Sequence, residues 1–206
     1  MKLGEIKIEA LRLMFANVGE ILDAAFLSQY KDDERFRDYL DNMPGSINRC
    51  FAEIEKRGVI PSKTVSLTDG TSNGYSIRFD LSEIGDFGAV DRLISENKWI
   101  YDPAHAYRME GNTLVVDSPL SGEKYTLLYK PCLTRVSATT GEDTDIALPD
   151  MIAAAIPYYI KGDLYRDDEP NEASEARNWF EAALDSIPVQ RSQPAVREIF
   201  SVGGES

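Results

Sequence analysis

Residues 148–187 read LPDMIAAAIPYYIKGDLYRDDEPNEASEARNWFEAALDSI, and the spacing of their apolar residues decides how the chain folds. Ile152, Ala155, Ile156, Tyr159, Ile160 and Leu164 recur at three-and-four spacing, and so do Ala173, Ala176, Phe180, Ala183, Leu184 and Ile187. That period places each set on one face of an α-helix. The spacing predicts two helices, 149–165 and 170–187, joined by Arg166-Asp167-Asp168-Glu169. Two amphipathic helices on so short a link must fold back as an αα-hairpin. Pro149 and Pro170 suit first helical turns, where a missing N–H is no loss. Pro157 lies inside the first helix and should kink it by removing the bond to Ala153. Asp168 or Glu169 is placed to cap the second helix, and Pro188 to stop it.

Toward the N-terminus the same period recurs. Leu11, Met14, Phe15, Val18, Leu22, Ala25 and Phe26 form a helical stripe, weakened at Gly19. Ser28 to Asp33 reads as a loop. Phe36, Tyr39, Leu40, Met43, Ile47, Cys50, Phe51 and Ile54 then keep one register. Pro44-Gly45 interrupts them without breaking phase, which predicts a kinked helix, or two short ones in line, ending at Gly58. Lys56 and Arg57 suit its C-terminus, where the helix dipole favours cations.

After Pro61-Ser62 the period changes to that of strands. Val65 and Leu67 alternate with polar neighbours, as do Tyr75, Ile77 and Phe79. Trp99 to Tyr101, Ala106 to Met109, Thr113 to Val116 and Lys124 to Tyr129 are further strand candidates. Thr68 to Gly74, Glu110-Gly111-Asn112 and Ser121-Gly122-Glu123 supply turns. Asp86 to Ser95 reads as a short helix or a loop. Thr139 to Asp145 is a polar, acidic linker or turn. The chain is therefore expected to be α+β. N- and C-terminal helices form a bundle, and an antiparallel sheet or sandwich of about five to seven strands is inserted between them. The expected divisions are 1–62 for the first helices, 63–138 for the strands, 139–188 for the hairpin and 189–206 for an extended C-terminal arm.

Composition limits function. Hydrophobic residues make up 43% of the 206, enough for a buried core. The net charge of −13 repels polyphosphate, which argues against stable nucleic-acid binding. Cys50 and Cys132 form no metal-binding spacing and read as two buried free thiols. The first residues lack the apolar core of a signal peptide, and no apolar run nears the roughly 20 residues of a membrane helix. The expectation is a protein made in the cytoplasm, with no membrane partner.

No chemical motif selects a catalytic centre. His105 is the single histidine and has no evident partners for general-base work. No G-x-S-x-G elbow is present. Asp143 and Asp145, or Asp167-Asp168-Glu169, lack the spaced acidic loop of a calcium site and read as a solvated turn and a helix cap. Gly70 to Gly74 is not followed by the lysine of a phosphate loop. Trp99, Tyr101 and Tyr107 could form a stacking face for a sugar, although sheet cores are where large aromatics usually lie. The expectation is no enzyme, no catalytic residue, no metal and no cofactor. Tyr158 and Trp179 lie off the apolar faces of the hairpin and are assigned to a subunit interface, because interfaces are enriched in both residue types. The C-terminal segment carries Ile199-Phe200-Ser201-Val202, an apolar patch suited to an arm that docks on something.

Leu148-Pro149-Asp150, then Ala155 through Tyr165, then Ala176-Arg177-Asn178-Trp179-Phe180-Glu181, resemble the closing hairpin of head–tail adaptor (connector) proteins of tailed bacteriophages. Arg35 to Arg49 is similar to an early helix of structural proteins from such phages. The strand insertion departs from the smallest, all-helical adaptors and is more like the larger ones. The resemblance implies a virion protein at the head–tail junction, in a ring commonly of twelve copies. Such a ring sits below the portal protein, extends the channel through which DNA passes without specific binding, and presents a surface to a tail or nozzle protein. It also implies that Arg197, Ile199, Phe200 and Val202 form an arm docking on the portal or a neighbouring subunit. The alternatives are another collar, baseplate or tail protein, or a carbohydrate- or ligand-binding module.

Overall fold

The computed structural model describes residues 1–15, 27–95, 100–101, 107–117 and 124–187. The fold is α+β, with helices and two antiparallel four-stranded sheets. The chain divides into two compact units, one of Met1–Ile60 with Leu133–Val189 and one built on Pro61–Cys132.

The helices of the first unit are α1 (Leu3–Met14), α2 (Leu27–Tyr30), α3 (Glu34–Arg57), α4 (Asp150–Ala153), α5 (Ile156–Leu164) and α6 (Pro170–Asp185). α5 is short but central: α1, α3 and α6 all pack against it. Ile156 and Ile160 are fully buried at that junction, and the Tyr159 ring meets Phe180 edge-on at 5.0 Å. α5 and α6 approach so closely that a Cβ on Gly162 would stand 3.0 Å from the Ala173 carbonyl oxygen. Any other residue there would push the hairpin apart.

α3 is a single 24-residue helix with Pro44 inside it, rather than two helices in line. The Asp33 carboxylate caps its start by accepting from the Arg35 N–H at 2.9 Å. Gly58 ends it in the left-handed conformation, φ 66°, where a side chain would be strained. Phe36, Leu40, Met43, Ile47, Cys50, Phe51 and Ile54 are all buried. That continuous stripe outweighs the cost of the proline, about 3 kcal/mol in an isolated helix interior.

Several expectations need correction. The first helix extends N-terminal to the expected stripe, from Leu3, and Lys7 lies buried on its core side with Leu3, Ile6 and Leu11. The remainder of its expected stripe, Val18 to Phe26 with Gly19, lies outside the described residues. Ser28 to Tyr30 belongs to α2, whose single turn serves to bury Leu27. Pro157 interrupts the expected helix rather than only kinking it: α4 ends at Ala153, the residue whose bond the proline removes. The chain breaks at Ala154-Ala155, and Pro157 sits in the first turn of α5, where its missing N–H is harmless. Glu169 occupies the N-cap position of α6 but its side chain makes no capping bond. Cys50 is buried and Cys132 is exposed, both as free thiols. Pro188 lies outside the described residues.

Thr139 to Asp145, expected as a polar linker or turn, does turn, and it lies as a strap across the start of α1. The Glu142 and Thr144 carbonyls accept from the Gly4 and Leu3 N–H groups, each at 2.9 Å, satisfying donors that a helix start leaves open. Beneath it the Lys7 ammonium, 3% exposed, donates to Glu142 Oε1 at 2.9 Å, and Lys31 joins at 3.2 Å. Glu142 Oε2 is buried with no partner.

The second unit is a sandwich. Its strands are β1 (Lys63–Leu67), β2 (Thr71–Ser72), β3 (Ser76–Asp80), β4 (Phe87–Ser95), β5 (Ile100–Tyr101), β6 (Tyr107–Glu110), β7 (Thr113–Asp117) and β8 (Tyr125–Pro131). One sheet has the order β1-β8-β4-β5 and the other β2-β3-β7-β6. Leu67, Leu93, Tyr125, Leu127 and Tyr129 of the first meet Phe79, Leu114 and Val116 of the second. The segment read as a short helix or loop, Asp86 to Ser95, forms β4, a central strand of nine residues. Register shifts between Phe87 and Ala89, and between Val90 and Arg92, hide its alternation. The Glu110-Gly111-Asn112 turn joins β6 to β7 as read, whereas Thr68 to Gly74 contains the short β2. Trp99, Ala106 and the turn Ser121 to Glu123 lie outside the described residues.

Two predictions concern stability. Glu142→Ala leaves the Lys7 ammonium buried without its partner and should cost about 2–4 kcal/mol, whereas Lys7→Met removes charge and partner need together and should cost less; urea titration of both variants checks the order. In the strand unit, Asp86 accepts from Lys63 Nζ at 2.6 Å and from the Tyr129 hydroxyl at 2.9 Å. The Lys63 bond chiefly, helped by Tyr129, holds the Asp86 carboxyl below the usual range, while burial and then Asp86 push Tyr129 up to about 12. The lowered carboxylate stabilises the fold above its ordinary pKa of 3.8, and that contribution is lost as pH falls further. The raised phenol stabilises the fold below its ordinary pKa of 10.0, and that contribution is lost as pH rises toward 12. Asp86→Asn should therefore flatten the acid limb of the stability profile, and Tyr129→Phe the alkaline limb, in circular-dichroism melts across pH.

Candidate docking site

α5 and α6 each bury one stripe and leave a second beside it. Tyr158 and Lys161 are three apart on α5; Glu172, Glu175 and Trp179 follow at three-and-four spacing on α6. Because the two helices are antiparallel and held close at Gly162, these flanking residues come together. Tyr158 and Trp179 lie 6.4 Å apart, ring centre to ring centre, with planes tilted 34°. Leu13, in the last turn of α1, and Ala176 complete a cavity of about 200 Å³.

Polar groups fix one side of it. Lys161 Nζ donates to the Leu13 carbonyl at 2.9 Å and pairs with Glu172 at 2.7 Å, tying α1 to the hairpin. Glu175 has no partner among the described residues. Tyr158 is half-buried against the helical core, but Trp179 is 59% exposed. An indole left in water forgoes the roughly 2–3 kcal/mol that burying it would contribute. Large exposed apolar groups beside a cleft are a mark of interaction surfaces. Next to the cleft, Tyr165 donates its hydroxyl to the Met14 carbonyl, and burial chiefly pushes its pKa up to about 12.

The structure thus brings Tyr158 and Trp179 together, and it adds Leu13, Lys161, Glu172 and Glu175, which the sequence reading did not single out. Their helical spacing was visible; which flank of each helix would face the other was not. Arg197, Ile199, Phe200 and Val202 lie outside the described residues, as do His105 and Trp99. Of the sheet aromatics, Tyr107 packs half-buried against the strand core. Cys50 is no nucleophile, since burial raises its thiol pKa far above neutrality. Among the described residues no group of three or more His, Cys, Asp or Glu side chains could hold a metal ion. Among them, too, no helix is long and apolar enough to cross a membrane.

A helical bundle carrying a strand insertion and an exposed aromatic cleft has the features of a protein that works by docking to others. The chain matches the SU10 adaptor protein family over residues 1–199 and belongs to that family. It is a structural adaptor of the bacteriophage particle, associated with other head and tail proteins, and the family is not an enzyme class. No curated protein matches the chain.

Trp179 and Phe180 are neighbours with opposite roles, which gives a direct test. Trp179→Ala should change unfolding free energy by less than about 1 kcal/mol, as for an exposed residue. Phe180→Ala, at a fully buried position, should cost about 3–5 kcal/mol. Denaturant titration of the two variants reads the difference.

Proposed function

We propose that this adaptor forms a ring below the portal protein, extends the DNA channel and presents the docking surface for the tail or nozzle. The family match across residues 1–199 is the observation that carries this reading. A closed ring of identical copies requires two different surfaces that fit each other, repeated around an axis. The Tyr158–Trp179 cleft is one such surface, placed on a subunit contact, and the segment bearing Arg197, Ile199, Phe200 and Val202 is a docking arm toward the portal or the next copy. Twelve copies is the number that resemblance to connectors implies. The net charge of −13 suits a channel through which DNA slides without being held. The protein is made in the cytoplasm of the host bacterium and ends in the virion at the head–tail junction.

Electron microscopy of the purified protein mixed with the portal from the same genome tests this. The expected result is a regular ring of added density beneath the portal, from which the copy number is counted. A portal that shows no added density, with the protein folded and present in excess, would place the adaptor at another station in the particle.

A further inference from the structure

The cleft is chemically particular. It pairs an exposed indole and a tilted phenol with a carboxylate, Glu175, that nothing described neutralises. Aromatic side chains beside a carboxylate that has no partner among the described residues fit a segment that carries a cation next to apolar side chains. A guanidinium fits best, because it both stacks on an aromatic face and pairs with a carboxylate. The helix already shows the first half of this arrangement one turn inward, where the Arg177 guanidinium lies 4.2 Å from the centre of the Tyr159 ring.

The chain's other cations narrow the choice of donor. Arg49, Arg57, Arg78, Arg108 and Arg135 are already bonded to carboxylates of their own chain, with Arg57 reaching both Glu181 and Asp185. Residues 188–206 hold two arginines, Arg191 and Arg197; Arg191 is followed by Ser192-Gln193-Pro194, whereas Arg197 is followed within five residues by Ile199, Phe200 and Val202. After the cation and Glu198 come two adjacent apolar residues and, beyond Ser201, a third. Nine residues lie between Arg197 and the last described position, Ile187, so the ten steps reach up to about 35 Å when extended.

We propose that Arg197 to Val202 of one copy occupies the Tyr158–Trp179 cleft of the next, with Arg197 on Glu175 and Phe200 against Trp179. This rests on the ring reading above, since it makes cleft and segment the two unlike halves of one head-to-tail contact. It assigns the acceptor side of the contact to Glu175 and Trp179, and it explains why an indole is left uncovered in the single copy.

The test uses the full chain with a photoreactive benzoylphenylalanine in place of Phe200. Light and ¹⁵N-labelled copies are mixed, on the portal and without it, irradiated, and digested for mass spectrometry, with particle mass measured in parallel. Expected are mixed-isotope adducts joining residue 200 to peptides containing Tyr158 or Trp179. Glu175→Lys should lower their yield by about fivefold or more, and Glu175→Lys combined with Arg197→Glu should restore it. Adducts confined to one isotope, or mapped outside the cleft, overturn the proposal. Rings that form without the adduct leave the ring reading standing and sink this one. Mixed adducts in species smaller than a ring do the reverse, and the absence of both removes both.

Discussion

The helical unit depends on the burial of one short helix. α5 has nine residues, too few to be stable alone in water, where isolated helices need about 12–15 residues even to be marginal. It persists because α1, α3 and α6 cover it from three sides. Ile156 and Ile160 lose all contact with solvent, and each such side chain contributes roughly 1.5–3 kcal/mol on burial. The close approach at Gly162 sets how near α6 can come. The distance between those two helices in turn determines that Tyr158 and Trp179 meet at their outer edge. The candidate surface is therefore a by-product of the same packing that forms the core.

Electrostatics plays a different part at different depths. The pairs on open surface, such as Arg166 with Asp167, hold two solvated side chains and add little. Lys7 with Glu142 is another matter, because the ammonium is out of water and the strap that supplies its partner also closes the first turn of α1. A segment that looks like an acidic linker thus joins the start of the chain to residues near 142 through backbone bonds, an ion pair and a tight contact at Gly4, where a Cβ would stand 3.2 Å from that of Glu142. In the sandwich, Asp86 does comparable work between Lys63 and Tyr129, tying the start of β4 to β1 and β8.

Membership of an adaptor family and the character of the surface agree on the kind of work this protein does. Docking to other particle proteins needs area, shape and a few anchoring side chains, not a constellation of proton donors and nucleophiles. Trp and Tyr serve as anchors because they bring large rigid surfaces at small entropic cost. The acidic balance adds a repulsion toward DNA that extends over about one screening length, roughly 8 Å at physiological salt.

Periodicity by itself determined the long amphipathic elements. α3 and α6 bury nearly the sets that their spacing picks out, because a 3.6-residue repeat admits one solution when the apolar stripe is unbroken. The change to strand texture after Pro61 was equally legible in Val65, Leu67, Ile77 and Phe79. Where local signals were weak or contradicted, only tertiary structure decided. Lys7 is a charge in the core because Glu142, far along the chain, comes to meet it. β4 is a central strand although its bulges erase alternation, because β8 pairs along it. Pro157, which cannot bond to Ala153, splits one expected helix into α4 and α5, and α5 still delivers Ile156 and Ile160 to the buried junction with α1 and α3. The sequence put Tyr158 and Trp179 off the buried faces, but their meeting, with Glu175 lining the same cavity, follows from the antiparallel closeness of α5 and α6. Spacing within a helix fixes which residues share a face; which faces touch is set by the packing of the whole.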